Sequence, residues 1–231
     1  MSRKQNGLAA SRREPLRKEL RQYLYKGGLF KHPLAVHWVH DIEDCGDLHR
    51  LLDWKQSEVA KCIQRGDWSH LLWLHERWYR FVALYGYAER MNDRVFWRQF
   101  GEVWHDSEDI RGNMYAVHCL LGRNRPHREQ IMKEKERRRL SQLPETITIY
   151  RGYSHPTAKK GWSWTLSLRH AKWFARRFVV LSQSPATVAV AEARTQDFIA
   201  LLDRGDGGTI VVDPTTIQIK KLLRAKEEST N

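Results

Sequence analysis

The chain of 231 residues is 41% apolar and 29% charged, which suffices for one large or two small domains with a real core and excludes a disordered chain or a mini-protein. No run of eighteen apolar residues exists, and the basic start MSRKQNGLAASRREPLRK lacks the apolar middle of a secretory signal, so a cytoplasmic location is expected. The net charge of +13 favours polyanionic partners and makes the location of the charge the first question.

Residues 1–31 form a basic arm with nine bases and two acids, and residues 123–139 hold eight bases and three acids. These two segments carry nearly all of the excess and could neutralise phosphates without reading sequence, or could be no more than a solvated helix face and a tail. No zinc-finger spacing, RNP-like aromatic motif or helix-turn-helix pattern accompanies them, so a specific reader of bases is not expected.

From Leu16 to Leu143 the apolar residues recur at helical spacing, as in Leu71, Leu74, Trp78, Phe81 and Tyr85, then Phe96, Phe100 and Val103, then Ile110, Met114, Val117 and Leu121. Residues 32–143 therefore read as a helical region of five or six helices, with Asp47 and Asp67 at N-cap positions. Seven tryptophans, at 38, 54, 68, 73, 78, 97 and 104, fall in this part and are expected in a bundle core. Cys45, Cys62 and Cys119 fit neither a disulfide framework nor a C-x-x-C clamp and read as buried free thiols. The histidines, among them His37, His40, His70 and His75, are scattered without a metal-binding spacing, and no metal is expected.

After Pro144 the pattern changes to short β-rich runs at 146–150, 162–166, 187–193, 198–202, 209–212 and 217–222, punctuated by Gly152, Gly161, Gly205, Gly207 and Gly208. One helix interrupts them at 169–178. Strands in succession predict antiparallel pairing, so residues 144–231 form a mainly antiparallel β domain and the chain as a whole is α+β. Neither a Rossmann nor a P-loop glycine fingerprint is present.

Three features of this β region carry chemistry. TITIY ends in Arg151 and Gly152, placing at a strand end a guanidinium that can bond two oxygens of a diphosphate or carboxylate at once. GWSWTLS alternates, so that Ser163, Thr165 and Ser167 share one face, a row of hydroxyls that a bound sugar or a carboxylate could satisfy. The helix RHAKWFARRF follows directly, with Ala171 and Ala175 small enough to let it lie close against the sheet.

The order YRG, then G-x-S-W-T-L-S, then A-x-W-F-A-x-R resembles the ADP-ribosyltransferase superfamily of the R-S-E type, especially small members from bacteria and their phages, over about residues 144–216. The resemblance implies a split β-sheet fold and NAD as the nucleotide bound. It implies that Arg151, with Gly152, holds the phosphates or nicotinamide ribose, that Ser163 braces the ribose and orients a catalytic acid, and that Thr165 supports the same layer. Trp173 or Phe174 would pack near the nicotinamide, although helical spacing also makes Phe174 a core residue. If the chain is phage-encoded, its place is the host cytoplasm.

The glutamate of that type is missing. The equivalent run is LLDRGDGGTIVVDP, where Asp206 is the nearest substitute, with Asp203 behind it and Glu192 a remote third. The same D-G and G-G pairs also read as a plain hairpin turn. The expected activity is transfer of ADP-ribose from NAD to a protein or nucleic-acid acceptor with release of nicotinamide. NAD hydrolysis and a catalytically degenerate binding module are the alternatives.

Overall fold

Glycine and proline punctuation in the last third of the chain sets six short strands apart, and the computed structural model, which describes residues 13–107, 110–177, 184–203 and 208–225, joins them in one sheet. In chain order the elements are β1 (Leu29–His32), β2 (Ala35–Trp38), α1 (Gly46–Arg65), α2 (Trp68–Leu74), α3 (Arg80–Tyr87), α4 (Asp93–Asp106), α5 (Met114–Leu121) and α6 (Glu134–Ser141). They continue with β3 (Thr146–Tyr153), β4 (Ser163–Thr165), α7 (Leu168–Arg177), β5 (Thr187–Arg194), β6 (Phe198–Leu202), β7 (Thr209–Val212) and β8 (Gln218–Arg224). Every strand pairing among the described residues is antiparallel, so the protein combines helices with antiparallel sheet. No helix among the described residues is long and apolar enough to cross a membrane.

The chain divides into two compact units, Met1–Met91 with Ser107–Gly122 and Asn92–Asp106 with Arg123–Asn231. The first unit holds α1, α2, α3 and α5 and also the β1–β2 hairpin, where the sequence reads only helix. Phe30 and Leu34 mimic a helical step, but Gly27 and Gly28 stand at φ 84° and 87° and turn the chain sharply. A Cβ on Gly28 would lie 2.5 Å from the Val39 carbonyl oxygen. Phe30 and Leu34 are buried with Leu16, Leu20, Leu48 and Leu52. Asp67 caps α2, accepting the His70 N–H at 3.1 Å. Asp47 does not cap α1: Cys45 holds that position, and Asp47 pairs with Arg50 in the first turn.

The tryptophans correct the sequence reading. Trp97 and Trp104 are buried, whereas Trp38, Trp54, Trp73 and Trp78 are exposed. Leucines and phenylalanines fill the first unit instead, with Leu71, Phe81 and Leu84 fully enclosed. Cys45 and Cys62 are buried free thiols, as expected, and Cys119 is half-buried.

In the second unit the sheet order is β6-β7-β4-β3-β5-β8. Helix α7 lies across β3, and the approach is backbone to backbone: a Cβ on Gly152 would overlap the Ala171 carbonyl oxygen and sit 2.6 Å from the Ala175 nitrogen. Ala171 and Ala175 are fully buried, so the closeness expected from their size is present. Two segments that the sequence groups with the helical region, α4 and residues 123–143, pack within this unit. Trp97 Nε1 donates to the Pro126 carbonyl at 3.0 Å, and Gly101 of α4 leaves room for the Ile131 carbonyl. The Leu201 N–H meets the Met132 sulfur at 3.3 Å.

Candidate functional site

Strand β3 carries Arg151, its neighbour β4 carries Ser163 and Thr165, and the next neighbour β7 begins at Thr209, directly after the acidic glycine-rich connection. Tyr150 pairs with Thr165, and Thr165 pairs with Thr209. Leu202 and Thr209 are also partners, so residues 203–208 close the β6–β7 hairpin. Antiparallel pairing has thus brought three segments spread over some sixty residues onto adjacent strands. Asp206 lies outside the described residues.

The Arg151 guanidinium is held by main chain. Nε donates to the Ala158 carbonyl at 2.8 Å and Nη1 to the Ser163 carbonyl at 2.6 Å, which ties the β3–β4 connection to the start of β4. Gly161 is the residue that permits this, since a Cβ there would stand 2.5 Å from Nη2. Trp164 locks the same turn by donating from Nε1 to the Gly161 carbonyl at 2.8 Å. Alternation from the Tyr150–Thr165 pair sets the Arg151 side chain on the sheet face opposite to those of Ser163 and Thr165. Arg151 therefore reaches Ser163 through its backbone, and the two side chains do not converge directly. Tyr153, on the Arg151 face, has its phenol pushed up by burial and stays a hydrogen-bond donor.

The expected row of ligand-seeking hydroxyls is mostly consumed locally. Thr165 Oγ1 accepts the Ser167 N–H at 3.2 Å, and Ser167 Oγ accepts the His170 N–H at 3.2 Å, capping α7. Ser163, half-buried, is the member of the row whose hydroxyl makes no hydrogen bond among the described residues. On α7, Trp173 is exposed and Phe174 half-buried. Their rings lie 5.0 Å apart, with His170 4.7 Å from Phe174 and the Arg177 guanidinium 5.1 Å over Trp173. Phe174 is thus neither core nor fully exposed.

The acid positions separate clearly. Glu192 is exposed on β5 opposite Thr148, two strands from β4, and is remote from the connection. Asp203 stands at the stem of the connection, its N–H donated to Glu136 Oε1 at 2.8 Å and its carboxylate 3.4 Å from Arg139. Glu136, 3% exposed, also accepts the Lys133 N–H at 2.6 Å. The sequence presents Glu136 as one charge in a basic run, yet it anchors helix α6 to the β6–β7 stem. The signal available was its N3 position in that helix, where a carboxylate turns back on the cap.

The basic connector is also largely engaged within the unit. Arg125 pairs with Asp93 at 2.8 Å and lies over Phe96, Arg128 lies over Trp97, Arg137 donates to the Met132 carbonyl at 2.5 Å, and Arg138 pairs with Glu134. Of the basic arm, residues 13–31 are described, and Arg17 there is bound bidentately by Asp53 at 2.6 and 2.7 Å. These guanidinia hold local structure, which leaves a smaller basic face for phosphates than the count of charges suggests.

In the first unit, Cys62, Asp67 and His70 bring their donor atoms within 4.8 Å of one another, a gathering that their sequence spacing does not announce. No family model, no curated protein and no solved structure matches the chain.

Proposed function

We propose that the second unit binds NAD and transfers its ADP-ribose to a protein or nucleic-acid acceptor, with nicotinamide as leaving group. The observation that carries this reading is the adjacency of the Arg151, Ser163 and acidic-connection strands, in the order that the motif resemblance requires. Ser163, with an uncommitted hydroxyl, fits a ribose hydroxyl. Arg151 acts as a positioning residue, setting Ser163 through its carbonyl. Glu136 and Arg139 hold Asp203 at the end of β6.

In the reaction the bond between the ribose C1′ and the nicotinamide nitrogen breaks, its electron pair leaving with nicotinamide. The C1′ carbon becomes oxocarbenium-like, which a carboxylate near the ribose stabilises. A nucleophilic oxygen or nitrogen of the acceptor then bonds to C1′ and loses its proton to solvent or a base. Asp206 is the residue assigned to the carboxylate role, its shorter reach relieved by flanking glycines.

Calorimetric titration with NAD, followed on the same sample by assay of nicotinamide release, tests the proposal. Saturable binding with release is expected, with Asp206→Ala slowing release by about 100-fold or more and leaving binding nearly unchanged. Ser163→Ala should weaken both. Absence of NAD binding would overturn the reading. The commitment of the Arg151 guanidinium to two carbonyls favours a second reading, a binding module without turnover; binding without release at any acceptor would select it.

A further inference from the structure

Helix α1 ends and α2 begins in a corner built by a few residues. Gly66 closes α1 in the left-handed conformation at φ 67°, and its N–H turns back to the Cys62 and Ile63 carbonyls. The Asp67 N–H also bonds the Cys62 carbonyl, at 3.0 Å. Cys62 therefore fixes by its own main chain the residue that follows the corner. Asp67 then caps α2 through Oδ1, accepting the His70 N–H at 3.1 Å, which orients the carboxylate over the corner.

This folding gathers a thiol, a carboxylate and an imidazole whose donor atoms all lie within 4.8 Å of one another. Cys62 is 4% exposed and forms the floor, while Asp67 and His70 are exposed and open the site to solvent. Sulfur, nitrogen and oxygen donors together match a borderline-soft divalent ion with tetrahedral preference. Thiolate and carboxylate supply two negative charges against the two positive charges of such an ion. Three protein donors leave the fourth position to water.

We infer that Cys62, Asp67 and His70 form a divalent transition-metal site of the zinc class at the α1–α2 corner. An ordinary cysteine thiol is protonated at neutral pH, so the metal-free sulfur carries a proton. Metal binding releases that proton to solvent and forms the metal–thiolate bond. Lys61, paired with Glu58 at 2.7 Å, and Arg65 are the cations beside the corner. The site is independent of the NAD-binding reading of the other unit.

Titration of the full chain with Co²⁺, followed by absorbance, tests it. Expected are a thiolate-to-cobalt charge-transfer band and tetrahedral ligand-field bands that saturate at one equivalent, and that one equivalent of Zn²⁺ abolishes. Cys62→Ser should remove the charge-transfer band. His70→Ala, at an exposed position where folding is not at risk, should weaken binding by more than about tenfold, since loss of an outer partner of a ligand already costs that much. No charge-transfer band at one equivalent, a band that persists in Cys62→Ser, or unchanged affinity in His70→Ala would each overturn the site.

Discussion

The two units place the same large side chain on opposite sides of their surfaces. In the first unit four of five tryptophans, Trp38, Trp54, Trp73 and Trp78, are exposed; in the second, four of five, Trp97, Trp104, Trp162 and Trp164, are buried. The difference follows from what else is available to fill each core. Leucine and phenylalanine at helical spacing enclose the first unit and leave the indoles outward, where Trp73 carries the Arg80 guanidinium at 3.9 Å. In the second unit the indoles on α4 and β4 are enclosed, and Trp97 and Trp164 find carbonyl partners for their N–H groups. Periodicity identifies a helix face but does not say whether that face is the inner one.

The contrast can be broken most forcefully at Trp97, where replacement by Ala opens a cavity, removes the bond to Pro126 and strips Arg128 of its ring. A loss of about 3–5 kcal/mol in urea unfolding of the full chain is expected. Gly152→Ala comes next: its methyl must push α7 off β3, at a cost of about 1–3 kcal/mol. The control in the first unit is Gly86 on α3, which faces open space, so Gly86→Ala should instead stabilise by about 0.5–1 kcal/mol. At the mild end, Trp78→Ala should change stability by no more than about 0.5 kcal/mol while lowering the acrylamide-accessible fraction of tryptophan fluorescence. A large loss there would erase the difference between the units.

Acid sharpens the same comparison. Burial, with Lys55 nearby, lowers the affinities of His75 and His32 for protons, and both residues belong to the first unit. His75 Nδ1 donates to the Leu71 carbonyl at 2.8 Å, and His32 Nδ1 accepts the Leu34 N–H at 3.1 Å, a bond that protonation of that nitrogen would break. Because their folded affinities lie below the ordinary value of about 6.5, their contribution is complete above that pH and declines as pH falls through and below it. Urea midpoints at pH 7 and pH 5.5 should show the decline, and His32→Gln should reduce its slope.

Much of the second unit was legible because its signals are local. Alternating β-branched runs between glycines locate β3 to β8 within a few residues, and Ala171 and Ala175 announce a close helix. The β1–β2 hairpin was hidden because Phe30 and Leu34 fit a helical step, although Phe30 lies on β1 opposite His37 and Leu34 in the turn that follows. The hydroxyl row misled for a related reason: Thr165 and Ser167 satisfy neighbouring backbone N–H groups, a use that looks the same in sequence as ligand binding. Long-range assignments were the least accessible. Nothing in the run KEKERRR says that Glu136 will reach Asp203, sixty-seven residues on. Likewise Cys62, Asp67 and His70 stand five and three residues apart, which is no repeating ligand spacing until Gly66 folds one helix end onto the next.

The backbone-to-backbone contact at Gly152 has a mechanical consequence. Between most packed elements, side chains can change rotamer and absorb a small displacement. At Gly152 the two backbones touch with no side chain between them, so α7 and β3 are coupled directly at that point, and Arg151 is the residue just before it on the strand. A displacement of α7 would therefore reach the β3 backbone beside Arg151, whose guanidinium holds the Ser163 carbonyl on the neighbouring strand.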